Sequence, residues 1–381
     1  MNDSCITRFE ISNFKKFDHL VVDNIGQVNL ITGDNNVGKT TLLEALLFNE
    51  DNLRWITYLH QTLFYRGIHI NPENINTDKI TFPAENFLNY ILKDLSRELV
   101  CKYINSLGII NEIGIRYKSI EQLNERELLC RKDKYNISNV KDWVVFSKNG
   151  VIDELQWLYY DDKEIKSLPT YWPYIGIDTP YSSDIRGYEQ FVRATETHST
   201  GNGAFDYADK KNIIKFLNVM IDGILDYDFL PFGRERLHAI ATNSDNKYQP
   251  LTTFGDGFQK FFRYVWTILF TGKIGDTRIM IDEIDTGVHY LKMKDQWKAI
   301  FELSRQTGTQ IFATTHSMDC IKAFAEAGEE MKEITGDLRL IELEEVTIEE
   351  KTNKHIATTF NHSQLEAYLD SGINIRGGKL W

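Results

Sequence analysis

The stretch Gly33-Asp34-Asn35-Asn36-Val37-Gly38-Lys39-Thr40 decides how this chain folds. It satisfies G-x-x-x-x-G-K-[ST] at every fixed position. Before it runs Val28-Asn29-Leu30-Ile31-Thr32, a short β-type segment, and after it Thr41-Leu42-Leu43-Glu44-Ala45-Leu46-Leu47, a helix former with an apolar stripe. Strand, glycine-rich turn and helix form the context of a phosphate-binding loop. Glycines let the backbone curl so that its N–H groups converge on phosphate oxygens, and the helix N-terminus adds partial positive charge. The pattern places Gly33, Asn35, Asn36, Val37, Gly38 and Thr41 around a nucleotide phosphate. Lys39 would reach the β- and γ-phosphates, and the Thr40 hydroxyl would ligate Mg²⁺.

The second half of the chain supplies complementary chemistry. Arg278-Ile279-Met280-Ile281-Asp282-Glu283 is an apolar run closing on two acids. At the carboxyl end of a buried strand, Asp282 would hold Mg²⁺ directly or through water, and Glu283 would polarise the attacking water. Gln310-Ile311-Phe312-Ala313-Thr314-Thr315-His316-Ser317 is another apolar strand, ending in hydroxyls and a histidine. A neighbouring strand end would bring His316 beside the γ-phosphate, where an imidazole can sense or stabilise developing charge. Lys39, Glu283 and His316 are thus the catalytic candidates, Thr40 and Asp282 the metal ligands, and ATP with Mg²⁺ the implied ligands.

At 381 residues the chain can bury a large core and is long enough for two parts. Hydrophobic content of 42% and aromatic content of 12% indicate an ordered globular protein. With 43 basic against 55 acidic residues the net charge is −12, which argues against coating nucleic acid through overall charge and leaves room for a local basic patch. The opening Met1-Asn2-Asp3-Ser4 predicts no signal peptide, and no run approaches the ~20 apolar residues of a membrane span, so a cytoplasmic location away from membranes is expected. Cys5, Cys101, Cys130 and Cys320 lack paired spacing and read as reduced, mostly buried thiols. The nine histidines are spread too widely to suggest a metal cluster.

Ile6–Ile11 reads as a strand, leading through Asn13–Phe17 to Leu20-Val21-Val22 in a small antiparallel sheet. The chain from 51 to 229 carries no nucleotide motif. It offers a helical run near Ala84 to Leu107, then β-rich material from Ile113 to Tyr160, with Trp143–Phe146 the clearest strand. Tyr171–Tyr174 reads as an aromatic loop, Thr197–Asp206 as a flexible connection, and Lys210–Leu225 as an amphipathic helix whose stripe belongs to the core. Trp157, Tyr159, Tyr171 and Trp172 are either core or a recognition surface. The strand Leu338–Leu343 precedes an acidic run, Glu342 to Glu350, that reads as a solvated strand edge, and a short helix near Ser363–Leu369.

Together these residues resemble the ABC-type ATPases of the SMC/RecF/OLD group, especially its compact bacterial AAA-type members found alone or beside defence genes. Phe9–Phe17, Gly33–Thr41, the Walker B and D-loop segment Ile281–Tyr290, the switch-histidine strand Gln310–Ser317, and Ser371–Gly377 carry the resemblance. It implies an α/β fold: a P-loop NTPase, an ABC-ATPase head with a mixed central sheet, made of residues 1–50 and 230–381. Residues 51–229 would be an α+β insertion between Walker A and the signature segment. It also implies a signature that acts across a dimer, best matched by Thr253–Phe261. Here Gly255 stands where most relatives carry serine, and Gly255-Asp256-Gly257 resembles the form of the compact members, whose backbone N–H groups can still bind phosphate. Lys15 and Phe17 either flank the adenine or ribose, as that segment does in relatives, or are a solvated lysine beside a core phenylalanine. The Q-loop glutamine has no clear place in the divergent middle.

No sustained heptads lie between Lys39 and Asp282, so no long coiled coil is expected. The residues after His316 are too few for the nuclease domain of OLD proteins. The implied protein is an ATP-hydrolysing homodimer or higher homo-oligomer, closed through an ATP sandwich. It would act as a switch for a separate effector such as a Toprim- or HNH-type nuclease, in antiphage defence resembling PARIS-like systems. The rival is a RecF-like DNA-binding repair or recombination ATPase, for which Arg126, Arg131, Lys132 and Lys134 are the loose basic candidates. A non-hydrolysing nucleotide-gated scaffold is a third option.

Overall fold

The computed structural model describes residues 5–48, 55, 73–76, 79–81, 88–125, 142–156, 159–160, 174–175, 207–232, 235–244, 247–274, 278–348 and 352–371. Its centre is a six-stranded sheet in the order Tyr174–Ile175, Arg278–Ile281, Gln310–Thr314, Val28–Gly33, Leu338–Ile348, Thr352–Asn361. The first five strands run parallel and the last is antiparallel. Strands buried on both faces read as unbroken apolar runs, which is why Val28–Gly33 and Gln310–Thr314 are buried at every position.

Alternation along these strands splits the interior into two cores. Leu30, Ile279, Ile281, Ile311, Ala313 and Leu340 face helices Asp256–Ile274, Tyr290–Thr307 and Met318–Glu330. Ile31, Met280, Phe312, Ile341 and Leu343 face the other way, onto helix Lys39–Ala45 and a second sheet. That second sheet is antiparallel, in the order Phe17–Val22, Ile6–Phe14, Leu99–Asn105, Ile110–Ser119, Asp142–Lys148, Val151–Gln156. The strands Leu99–Asn105, Ile110–Ser119 and Asp142–Lys148 therefore extend the sheet begun by the N-terminal hairpin and share its core. The longest described helix, Asp256–Ile274, has 19 residues, so no long coiled coil occurs among the described residues. Nor is any described helix long and apolar enough to cross a membrane.

Buried amides brace the central sheet, and one of them ties it to the second. Gln310 accepts from the Ile6 backbone at 3.0 Å and donates to the Ile6 and Gly26 carbonyls, both at 2.7 Å. Asn29 donates to the Gly26 and Ile311 carbonyls at 2.9 and 3.1 Å. Cys5, Cys101 and Cys320 are buried thiols, as expected; Cys5 Sγ donates to Gln27 Oε1 at 3.4 Å, and burial pushes the Cys320 thiol up to about 12.

Three expectations are corrected. The helical run near Ala84–Leu107 gives way to the strand Leu99–Asn105, whose alternating burial lets it pair on both sides. The amphipathic helix stops at Leu217 rather than Leu225, because Asn218 turns the chain. Its amide donates to the Ile214 and Ile224 carbonyls, and its carbonyl accepts from the Gly223 and Ile224 N–H groups. The acidic segment is not a sheet edge at its start: Leu338–Ile348 lies between two strands, and Glu342 is buried. The aromatic loop before Tyr174, the 197–206 connection, the basic cluster at Arg126–Lys134 and Ser371–Gly377 beyond its first residue lie outside the described residues.

Candidate active site

In a parallel sheet all carboxyl ends open onto one edge. The phosphate-loop strand Val28–Gly33 pairs with Gln310–Thr314, which pairs with Arg278–Ile281. His316 is therefore delivered between the loop and the Asp282-Glu283 pair. The loop bends through positive φ at Gly33 (141°), Asn36 (62°) and Gly38 (110°). Packing as well as bending demands the glycines. A Cβ on Gly33 would stand 2.2 Å from the Leu343 carbonyl oxygen, and one on Gly38 would stand 2.9 Å from the Phe17 ring. Asp34, Asn35 and Asn36 form the exposed crown, and Thr40 and Thr41 are half-buried at the start of helix Lys39–Ala45, which has no side-chain N-cap.

Lys39 is 5% exposed and donates to the Gly33 and Asp34 carbonyls, both at 2.8 Å. Burial pulls its ammonium down to about 8; Asp282, Asp34 and Glu283 oppose this and Lys16 adds to it, leaving the group mostly charged at pH 7. Thr40 Oγ1 donates to Asp282 Oδ2 at 2.9 Å, and Thr314 Oγ1 donates to Asp282 Oδ1 at 2.5 Å. One hydroxyl and one carboxylate, both hard oxygen donors meeting at a strand end, fit a Mg²⁺ ion. Glu283 sits at φ 48°, a left-handed conformation costly for a residue with a Cβ and commonest at functional sites. Its N–H donates to Thr314 Oγ1 at 2.9 Å, and its carboxylate accepts from Thr286 Oγ1 at 3.0 Å. His316 is half-buried; desolvation, then the Lys39 charge, lower its pKa against the pull of Glu283, Asp285 and Asp282. It is neutral at pH 7.

The structure thus brings together Lys39, Thr40, Asp282, Glu283 and His316. Gly255 and Gly257 open the helix Asp256–Ile274 instead, where Gly255 accepts from the Phe258 and Gln259 N–H groups. Gly257 presses on the turn after Glu283: a Cβ there would meet the Gly287 carbonyl at 2.1 Å, whereas a Cβ on Gly255 meets nothing within 4 Å.

Lys15 and Phe17 do not present a stacking surface for a base. Lys15 pairs at 2.5 Å with Glu44, itself fully buried, and Phe17 is fully buried behind Gly38. Phe17 backs the loop. Phe17→Ala should lower unfolding stability by about 3–5 kcal/mol and weaken nucleotide binding as the loop loses its support, as denaturant melts and nucleotide titrations would read. Two contributors were missed from sequence. Lys16 donates to the Asn36 carbonyl and stands beside Lys39, but in sequence it looks like any surface lysine. Thr314 links Asp282 to Glu283, and its only signal was a hydroxyl at a strand end.

A phosphate loop, an acidic pair and a histidine on adjacent strand ends of a mostly parallel sheet are the working parts of a P-loop ATPase of the ABC type. Residues 118–319, more than half of the chain, match the family described as "AAA domain, putative AbiEii toxin, Type IV TA system", and the chain belongs to it. Residues 8–49 match a further AAA domain family. Family and site together make the protein an ATPase. The chain is 22% identical over 396 residues to an ATP/GTP phosphatase of Helicobacter pylori, covering 98% of this chain and all of that one. It is 30% identical over 113 residues to an uncharacterized protein of Methanocaldococcus jannaschii, covering 26% of this chain and 51% of the relative. Similar solved structures include an SMC head domain from Thermotoga maritima (12% identity, TM-score 0.44, 94% of this chain and 99% of that one). Another is an SMC head with an extended coiled coil, bound to the C-terminal domain of ScpA derived from Pyrococcus furiosus (9% identity, TM-score 0.48, 97% and 100%).

Proposed function

We propose that this ATPase is a dimeric switch: two copies close on ATP, reopen on hydrolysis, and so control a separate effector, a nuclease of Toprim or HNH type, in bacterial antiphage defence. The observation that carries the hydrolytic half is the strained, hydrogen-bonded placement of Glu283 one residue after Asp282. Lys39 and the loop N–H groups of Gly33–Thr41 bind the nucleotide phosphates. Thr40 and Asp282 hold Mg²⁺, which when bound polarises a phosphoryl oxygen. Glu283 accepts a proton from the attacking water, with Thr286 aiming its carboxylate. His316, neutral, donates a hydrogen bond where charge develops.

The dimeric half is supported by the two faces of the signature loop. Gly257 is pinned to Gly287, on the turn that follows Glu283, while Gly255 faces open space. A loop with one glycine free suits a phosphate approaching from a second copy. The ATP/GTP phosphatase relative fits the turnover, and the toxin–antitoxin wording of the family description fits an output aimed at the cell or its invaders. The RecF-like alternative has no comparable observation: net charge is −12, and its basic candidates lie outside the described residues.

Gly255→Glu tests the sandwich. The chain has room for the side chain, so fold and single-copy ATP binding should persist. Like charge against phosphate costs several kcal/mol, so ATP-dependent dimers should vanish and turnover fall by about 10²-fold. Light scattering and phosphate release would read this; unchanged dimers and turnover would sink the sandwich. For the output, a co-expressed neighbouring nuclease should be retained or released according to the nucleotide bound.

A further inference from the structure

We propose that His362, Glu366 and Glu329 form a binding site for a divalent transition ion of the zinc class, separate from the nucleotide site. A ring nitrogen of His362 and one carboxylate oxygen from each glutamate lie within 4.8 Å of one another. The site joins two elements. His362 and Glu366 stand one turn apart on helix His362–Asp370, and Glu329 is on the last turn of helix Met318–Glu330.

The histidine is built in rather than incidental. Its ring is 4% exposed, and Nε2 lies 2.9 Å from the Ala325 carbonyl oxygen. A carbonyl only accepts, so Nε2 carries a hydrogen and is committed to it, and Nδ1 is the ring nitrogen turned toward the glutamates. A metal-ligating imidazole is commonly oriented in this way, its other N–H given to a backbone carbonyl. The ring also requires Gly328, because a Cβ there would stand 2.6 Å from His362 Cδ2 and Nε2. Nδ1 faces Glu366 Oε2 at 3.5 Å. An ion between these two atoms would bridge them. Two ligand atoms on a tetrahedral zinc, each about 2.0–2.1 Å from the ion, stand about 3.3–3.4 Å apart. The observed separation is close to such an edge.

The surroundings favour a cation. Glu329 belongs to the C-terminal turn of its helix, where backbone carbonyls concentrate partial negative charge. The exposed Lys332 lies 4.0 Å from Glu329, a contact too loose to neutralise two carboxylates. One imidazole with two carboxylates suits zinc-class ions better than Mg²⁺, which seeks oxygen alone. The glutamates are partly exposed, so an ion can enter from solvent while His362 supplies the fixed point. A bound ion would clamp the C-terminal helix to the helix that begins immediately after His316-Ser317.

The test uses the full chain without nucleotide, in excess Mg²⁺, with Co²⁺ as a visible probe and Zn²⁺ as competitor. Wild type should take up Co²⁺ at micromolar concentration, show a d–d absorption band that Zn²⁺ removes, and melt at higher temperature with Zn²⁺. Glu329→Gln and Glu366→Gln are surface-side changes that should fold normally, weaken Co²⁺ uptake at least tenfold and abolish the Zn²⁺-dependent melting shift. ATP turnover in Mg²⁺ should be unchanged, since neither residue belongs to the nucleotide site. Uptake equal in wild type and both variants would place the ion elsewhere. No micromolar uptake by wild type would make the cluster a purely structural contact between two helices. Either result overturns the site.

Discussion

Glu283→Gln should leave ATP binding intact and lower turnover by about 10²–10⁴-fold, the range expected when a positioned general base is removed. Glutamine matches the shape of the side chain and can still accept from Thr286 Oγ1, so the geometry around φ 48° is kept. What is lost is the ability to take a proton from water. The local field moves the same way, because one of the acids around Asp282 and Asp285 becomes neutral, so ATP affinity should hold or rise slightly. If two copies close on ATP, the variant should accumulate as an ATP-bound dimer. Single-turnover phosphate release, nucleotide titration and light scattering would read the three quantities. Turnover equal to wild type would remove Glu283 from the mechanism.

Lys39→Ala should weaken ATP binding by about 10²–10³-fold, since removing one partner of a buried charge pair costs roughly 2–5 kcal/mol. Hydrolysis should vanish with it at cellular nucleotide levels. The fold should survive. Burial depresses the Lys39 pKa from 10.5 to about 8, so the group stays mostly charged at pH 7 but its charge costs more in the folded chain than in the unfolded one, and truncation relieves that cost. Against this, the loop loses the ammonium's bonds to the Gly33 and Asp34 carbonyls, so its crown should loosen while the melting temperature stays near wild type. Undiminished ATP affinity would show that the phosphates are held elsewhere.

The parallel sheet was legible because strands covered on both faces write themselves as apolar runs. Val28–Thr32, Arg278–Ile281 and Gln310–Thr314 needed no partner to be recognised. The middle was harder. Leu99–Asn105 was submerged in a helical expectation, since its pattern makes sense only against Ile6–Phe14 and Ile110–Ser119. Helix Tyr207–Leu217 was visible in its apolar spacing, but its end was not, because the Asn218 side chain stops it through hydrogen bonds that propensity does not encode.

The site divides along the same line. Residue type and spacing by themselves determined the phosphate loop, the Asp282-Glu283 pair and the histidine, because each is local chemistry at the end of one strand. Only the tertiary structure decided strand order, and with it that His316 lies between Lys39 and Asp282. It also turned Phe17 from a candidate base-stacking ring into the support behind Gly38, drew Lys15 away to Glu44, and gave Thr314 its link between the two acids. The histidine–carboxylate cluster was invisible for the same reason. Glu329 and His362 are remote in sequence, and only the packing of two helices against one sheet sets them side by side.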